Sequence, residues 1–199
     1  VRTICISDTH NTDISALIPP GDILIHAGCL THSGTSRELQ VTFDWLVPLL
    51  HEHKIVIADN HDACLQTDEG HLWVHTWRER GIIYLEDRLT LSKCAVAHSK
   101  YLASHSLRSM AMAPSNTHVL VPLTVSAVGM SYQTLITHGP PYGHLNLTEL
   151  SWQALLAHMW RQPLVLHVFG HIHGGRGIKN MLWNPAQSIW DDVMHMKGG

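Results

Sequence analysis

The sequence lacks any run of about 18 apolar residues, the length a helix needs to cross a bilayer. Its greasiest stretch, Val119 to Met130, is short and broken by Pro122, which excludes a membrane-spanning helix. Charge of one sign is also scarce. With a formal net charge of -3 there is no concentrated basic face to hold nucleic acid or a membrane surface, so the expected partner is a small molecule. Cysteine is limited to Cys5, Cys29, Cys64 and Cys94, with no CxxC pair and no regular spacing. That argues against a disulfide framework and for reduced thiols in a cytoplasmic setting. No signal peptide is expected, because Val1 to Ile6 already reads as a strand, and the missing initiator Met suggests a trimmed chain. Acidic residues are absent from Arg88 to Thr148, a gap unusual for a water-exposed domain, and there is no internal repeat.

What is present is enough apolar material, 45% of 199 residues, for one sizeable core, so a single domain over residues 1–199 is expected. Val1 to Ile6 is a strand that stops at Ser7-Asp8-Thr9-His10. Ile23 to Ala27, after the Pro20-Gly21 turn, is a second strand and stops at Gly28-Cys29. Thr35 with Glu38 forms a capping box, and Leu39, Phe43, Leu46 and Leu50 recur at helical spacing, which predicts a helix over Ser36 to Leu50. Lys54 to Ala58 leads into Asp59-Asn60-His61-Asp62, and another strand is predicted near Gly81 to Leu85. Leu135 to Thr137 leads into His138-Gly139-Pro140-Pro141. A helix is predicted around Leu147 to Met159, and Leu164 to Phe169 leads into Gly170-His171-Ile172-His173. Alternating strands and helices indicate an α/β protein whose site collects at the carboxyl ends of its strands. Ser99 to Tyr132 has neither strand nor helix periodicity.

The chain carries 18 histidines, and histidine is the commonest metal ligand. Singly, Asp8-x-His10 reads as a turn and His171-x-His173 as a surface pair. Five polar clusters at successive strand ends are hard to explain as packing accidents, and they supply the imidazole, carboxylate and amide donors that divalent ions need. The spacing of Asp8 and His10 puts both side chains on one side of an extended segment.

These clusters, SDTHN, GDILIHAG, NHDA, THGPPYGH and FGHIHGGRG, resemble those of the calcineurin-like metallophosphoesterases over residues 1–90 and 134–190. The resemblance implies a layered β-sheet sandwich flanked by helices and a dinuclear centre hydrolysing a phosphoester, in particular a phosphodiester of a small nucleotide or similar compound. Asp8, His10 and His173 would hold one divalent ion, and Asn60, His138 and His171 the other. Manganese is the first expectation, with zinc, iron or magnesium as alternatives. A metal-bound water would attack phosphorus, and His61, with Asn60 beside it, would serve the scissile phosphate. Tyr142 and His144 either line the substrate cleft or sit on solvent-facing loops. A structural zinc site is a weaker reading, since the scattered cysteines do not supply a closed four-ligand set.

Three departures from the family pattern stand out. Cys29 occupies the position of a bridging aspartate. Two divalent ions about 3.5 Å apart repel by roughly 19 kcal/mol at an effective dielectric of 20, so an anionic bridge matters. A thiolate bridge favouring zinc, a weakened second site and a merely packed thiol are all open, and weakened activity is favoured. A catalytically lapsed relative that binds metal and a nucleotide or protein partner is therefore the alternative function. Asp59 stands where the family has glycine, which predicts a positive φ with mild strain. Ser99 to Tyr132 replaces an aromatic-rich segment; a shifted reading frame or a mis-joined exon is expected there, since with suitable codons Leu107 to Thr117 reads in a neighbouring frame as the family-like Pro-Glu-Tyr-Gly-Asn-Gly-Ala-Phe-Gln-Tyr. The family continues with further strands beyond Trp190, so a core incomplete at the C-terminus is also expected.

Overall fold

The computed structural model describes residues 1–85, 89–94, 97–104, 119–124, 133–145, 152–161 and 163–197. Strands β1 (Arg2–Ser7), β2 (Ile23–Ala27), β3 (His53–Ile57) and β4 (Ile82–Tyr84) are parallel neighbours in the order β4-β3-β2-β1. Strands β5 (Leu89–Cys94), β6 (Ala97–Ser104), β7 (Val119–Thr124), β8 (Gln133–Thr137) and β9 (Leu166–Val168) complete two sheets. β7 closes the first sheet, antiparallel to β1, and the second runs β5-β6-β8-β9.

Side chains alternate across a strand, and here the alternation sorts them into two cores. Ile4, Ile6, Leu24 and Val56 point to one face, where they meet Leu39, Trp45 and Leu46 of helix α1 (Ser36–Leu46) and Trp77 of helix α2 (Asp68–Glu79). Ile23, Ile25, Ala27, Ile55 and Ile57 point to the other, where they meet Ile136 of β8 and Val168 of β9. The result is the expected layered α/β sandwich, with helices outside one sheet and the second sheet against its other face.

The capping box of α1 forms as expected, with the Thr35 side chain accepting from the Glu38 backbone N–H and the Glu38 carboxylate accepting in return. The helix ends at Leu46, not Leu50. Pro48 has no N–H to continue the ladder, and Leu50, expected in the apolar stripe, is 98% exposed. Helix α2 is not among the helices predicted from periodicity, although Thr67 as N-cap followed by Asp68 and Glu69 is a proper start signal. The predicted helix near 147–159 is partly outside the described residues; what is described is α3 (Gln153–Arg161). β7 and all but the first two residues of β6 fall inside the stretch read as patternless, whereas residues 107–117, with their reading-frame expectation, lie outside the described residues. Helix α4 (Pro185–Lys197) follows, and its Asp191 accepts from the Trp160 indole N–H at 2.8 Å. No helix among the described residues is long and apolar enough to cross a membrane.

β2 also carries a fully buried histidine. His26 Nε2 bonds Thr9 Oγ1 at 2.9 Å, and burial pushes its pKa down to about 3 against the pull of Asp8. Below pH 6.5 the unfolded chain binds a proton that the folded chain refuses. Stability therefore falls as pH drops through the window from about 6.5 to about 3, by about 2 kcal/mol at pH 5 from this group. Replacing His26 with glutamine should make the urea midpoint less sensitive to acidification between about pH 7 and pH 5; an unchanged slope would contradict this assignment.

Candidate metal centre

The parallel strands deliver their polar clusters to one end of the first sheet, with β8 and β9 bringing theirs from the second. Backbone bonds link these ends: Asp8 N–H donates to the Gly28 carbonyl at 3.0 Å, His10 N–H to Cys29 at 3.1 Å, and Gly170 N–H to His138 at 2.8 Å. Glycines permit the approach. A Cβ on Gly28, whose φ is +92°, would lie 2.6 Å from His138 Nδ1, and one on Gly170 would collide with the Asp8 carboxylate.

Seven non-glycine residues have positive φ among those described, and four of them are Asp8, His10, Cys29 and His171. Such backbone costs about 1–3 kcal/mol per residue and gathers where side chains must be aimed for function.

Two groups of donor atoms, each within 4.8 Å of one another, meet here: Asp8 with His10 and Cys29, and Cys29 with Asp59 and His138. Cys29 belongs to both. In the first, His10 Nδ1 donates to the Thr31 carbonyl at 3.3 Å, which leaves its Nε2 lone pair facing His173 Nε2, also at 3.3 Å. His173 Nε2 is in turn 3.5 Å from Asp8 Oδ1. In the second, His138 Nδ1 donates to the Ala27 carbonyl at 2.7 Å. Its Nε2 therefore faces Cys29 Sγ at 3.1 Å, Asp59 Oδ2 at 3.4 Å and Asp8 Oδ1 at 3.7 Å. The ring of His171 packs edge-on against His138 with centroids 5.0 Å apart, while its backbone N–H donates to both Asp8 oxygens at 3.1 Å. Fixing one imidazole nitrogen with a carbonyl and freeing the other is how proteins prepare a metal-ligating histidine, so these residues fit divalent cations.

The electrostatics agree. Burial drives the Asp8 carboxyl up, but its bonds to His173 and Ser7 and the nearby His138 together hold it well below the usual carboxylate range. Burial lowers His10 to about 4 and lowers His171 too, which keeps both imidazoles neutral at about pH 7. Burial first, then the charges of Asp62, Asp8 and Asp59, push the Cys29 thiol far up, so without a cation beside it the sulfur stays protonated.

His61 sits at the rim. Its Nδ1 donates to the His32 carbonyl at 2.7 Å, and its ring lies edge-on to His10 with centroids 5.1 Å apart. Asn60 is exposed on the turn after β3. Asp59 lacks the predicted positive φ: the turn needs no left-handed residue there, and the side chain is turned towards His138. Tyr142 and His144 are not on a solvent-facing loop. Both are buried, and His144 Nε2 is 3.1 Å from Asp191 Oδ1 of α4. A cavity of about 700 Å³ adjoins Asp8 and is lined also by His144, Phe169, Arg176 and Lys179.

Sequence reasoning missed Asp62. Wholly buried, it accepts from the backbone N–H groups of Leu30 (3.1 Å), Thr31 (2.8 Å) and Asp59 (3.0 Å), and from the Thr31 hydroxyl (2.9 Å). It ties the loop after β2 to the loop after β3. A carboxylate three residues after Asp59, amid small and polar residues, was the available signal.

No family profile matches the chain. Among curated proteins it is 30% identical to the human metallophosphoesterase domain-containing protein 1 over 89% of this chain and 62% of that protein. It is 29% identical to a UPF0046 protein of Caenorhabditis elegans over 89% of this chain and 65% of that protein. It is also 37% identical to a protein of Emericella nidulans named probable rhamnogalacturonate lyase C, over 98% of this chain but only 19% of that protein. The chain thus spans less than two thirds of the length of each of these relatives, and the lyase name describes a protein of which the match is a small part. The strand-end donor clusters and the layered sandwich agree with the likeness to a metallophosphoesterase-domain protein, which supports a relationship to the calcineurin-like metallophosphoesterases.

Proposed function

We propose that the chain hydrolyses phosphoesters, preferentially phosphodiesters of small molecules such as nucleotides, with two divalent cations held between the ends of the two sheets. The observation that carries this reading is the pair of donor groups sharing Cys29, each containing a carboxylate and a histidine. Asp8, His10 and His173 would hold one ion; His138, His171 and Asn60 would hold the other, with Cys29 between them. Bound there, the ions supply Lewis-acid polarisation of the phosphoryl oxygens and an activated water for in-line attack. The residues do the rest. Thr31 and Ala27 carbonyls orient His10 and His138, and the His171 N–H orients Asp8. His61, its Nδ1 fixed by the His32 carbonyl, presents Nε2 to protonate the leaving oxygen. The cavity beside Asp8, with Arg176 and Lys179 on its wall, suits an anionic ester.

Chelator-stripped protein should not hydrolyse bis(p-nitrophenyl) phosphate, and adding Mn2+ should restore turnover; failure of every divalent ion tried would overturn the proposal. One observation favours a second reading. A buried protonated thiol lies where a carboxylate is expected, which fits a lapsed enzyme that keeps one ion and binds a nucleotide or protein partner without hydrolysis.

A further inference from the structure

We infer that Asp59 is a ligand of the cation position at His138 and supplies from the end of β3 the carboxylate that residue 29, a cysteine, cannot. The inference rests on the two-cation reading above and adds a ligand to it.

Geometry carries it. Asp59 Oδ2 and Cys29 Sγ lie 3.4 Å and 3.1 Å from the same atom, His138 Nε2, and the three donor atoms are all within 4.8 Å of one another. His138 is 3% exposed and has its other nitrogen committed to the Ala27 carbonyl, so its free lone pair faces the thiol and the carboxylate. The backbone of Asp59 is anchored, since its own N–H donates to Asp62 Oδ2 at 3.0 Å, which fixes the turn from which the side chain reaches inwards. A glycine at this position would remove the carboxylate oxygen that lies nearest to His138 Nε2, 3.4 Å away against 3.7 Å for Asp8 Oδ1. The side chain of Asp59 is 14% exposed, against 2% for Asp8, so it stands on the more open side of the site.

The two substitutions relative to the family pattern are therefore linked in space. A carboxylate is lost at the end of β2 and another gained at the end of β3, and both positions face His138 Nε2. Each donor group then contains one carboxylate, Asp8 in the first and Asp59 in the second, which divides the negative charge between two mutually repelling cations. The second position combines nitrogen, sulfur and oxygen donors. That set favours a borderline ion such as Zn2+ or Co2+ over Mg2+.

The test is metal uptake by the full chain, stripped with chelator and titrated with Zn2+ and with Co2+, read by calorimetry, bound metal per chain and the cobalt spectrum. Wild type should take up two ions and, with Co2+, develop a near-ultraviolet thiolate charge-transfer band. Asp59→Asn, nearly isosteric and able to keep the backbone bond to Asp62, should weaken the second ion about 10–100-fold while the first is unchanged. Cys29→Asp combined with Asp59→Ala should take up two ions again. Second-ion affinity within about twofold of wild type in both Asp59→Asn and Asp59→Ala would overturn the inference. Fewer than two ions on wild type would overturn it together with the two-cation reading. Two ions without hydrolysis, and loss of one in Asp59→Asn, would uphold it while refuting the phosphoesterase function.

Discussion

Asp8→Asn is expected to abolish divalent-ion-dependent hydrolysis, with a fall of more than about 100-fold in affinity for the first cation. Even partners that only orient a ligand cost about 10–100-fold when removed, and Asp8 does more. Its Oδ1 faces His173 and His138, and both oxygens accept from the His171 N–H, so one carboxylate aims residues from β8 and β9 as well as offering its own charge. The amide keeps one acceptor for His171 and should leave the fold intact, which separates lost charge from lost structure. Calorimetric titration with Mn2+ beside a thermal melt tests this. Undiminished affinity with an unaltered melt would remove Asp8 from the metal site.

Asp62→Ala should damage both stability and metal binding without touching a cation. It would strand the buried N–H groups of Leu30, Thr31 and Asp59, each costing about 1–3 kcal/mol when left unpaired. A total near 4 kcal/mol corresponds to roughly a 10 °C fall in melting temperature for a chain of this size. The loops after β2 and β3 would then part, carrying Cys29 away from Asp59. Cation affinity should fall by about 10–100-fold, as for other orienting residues. A melting temperature within about 2 °C of wild type would show that the four-donor cage contributes little.

Much of this was legible in the chain. β2 was bounded correctly because Pro20-Gly21 starts it and a glycine ends it. The α1 cap was plain from Thr35 and Glu38, but the apolar stripe ran on through Leu50 and concealed the stop at Pro48. α2 has a good acidic first turn, yet Gly70 and its interspersed histidines blur the apolar stripe. β5 went unread although Leu89-Thr90-Leu91-Ser92 alternates, whereas β7 and most of β6 lie in a stretch without readable pattern and are defined by sheet pairing. The family likeness pointed to Asp8, His10, Cys29, His138, His171 and His173, and these converge; Asn60 was named by the same motif and is exposed on its turn.

By itself, the sequence determined the α/β order, the strand ends that carry donors and the departure at Cys29, because turn chemistry, periodicity and residue type are local properties. Only the tertiary structure decided which nitrogen of His138 is free, that Asp59 turns inwards and not into a left-handed turn, and that Asp62 clamps two loops. Those facts depend on carbonyls and carboxylates far away along the chain, brought within hydrogen-bond reach by strand pairing alone.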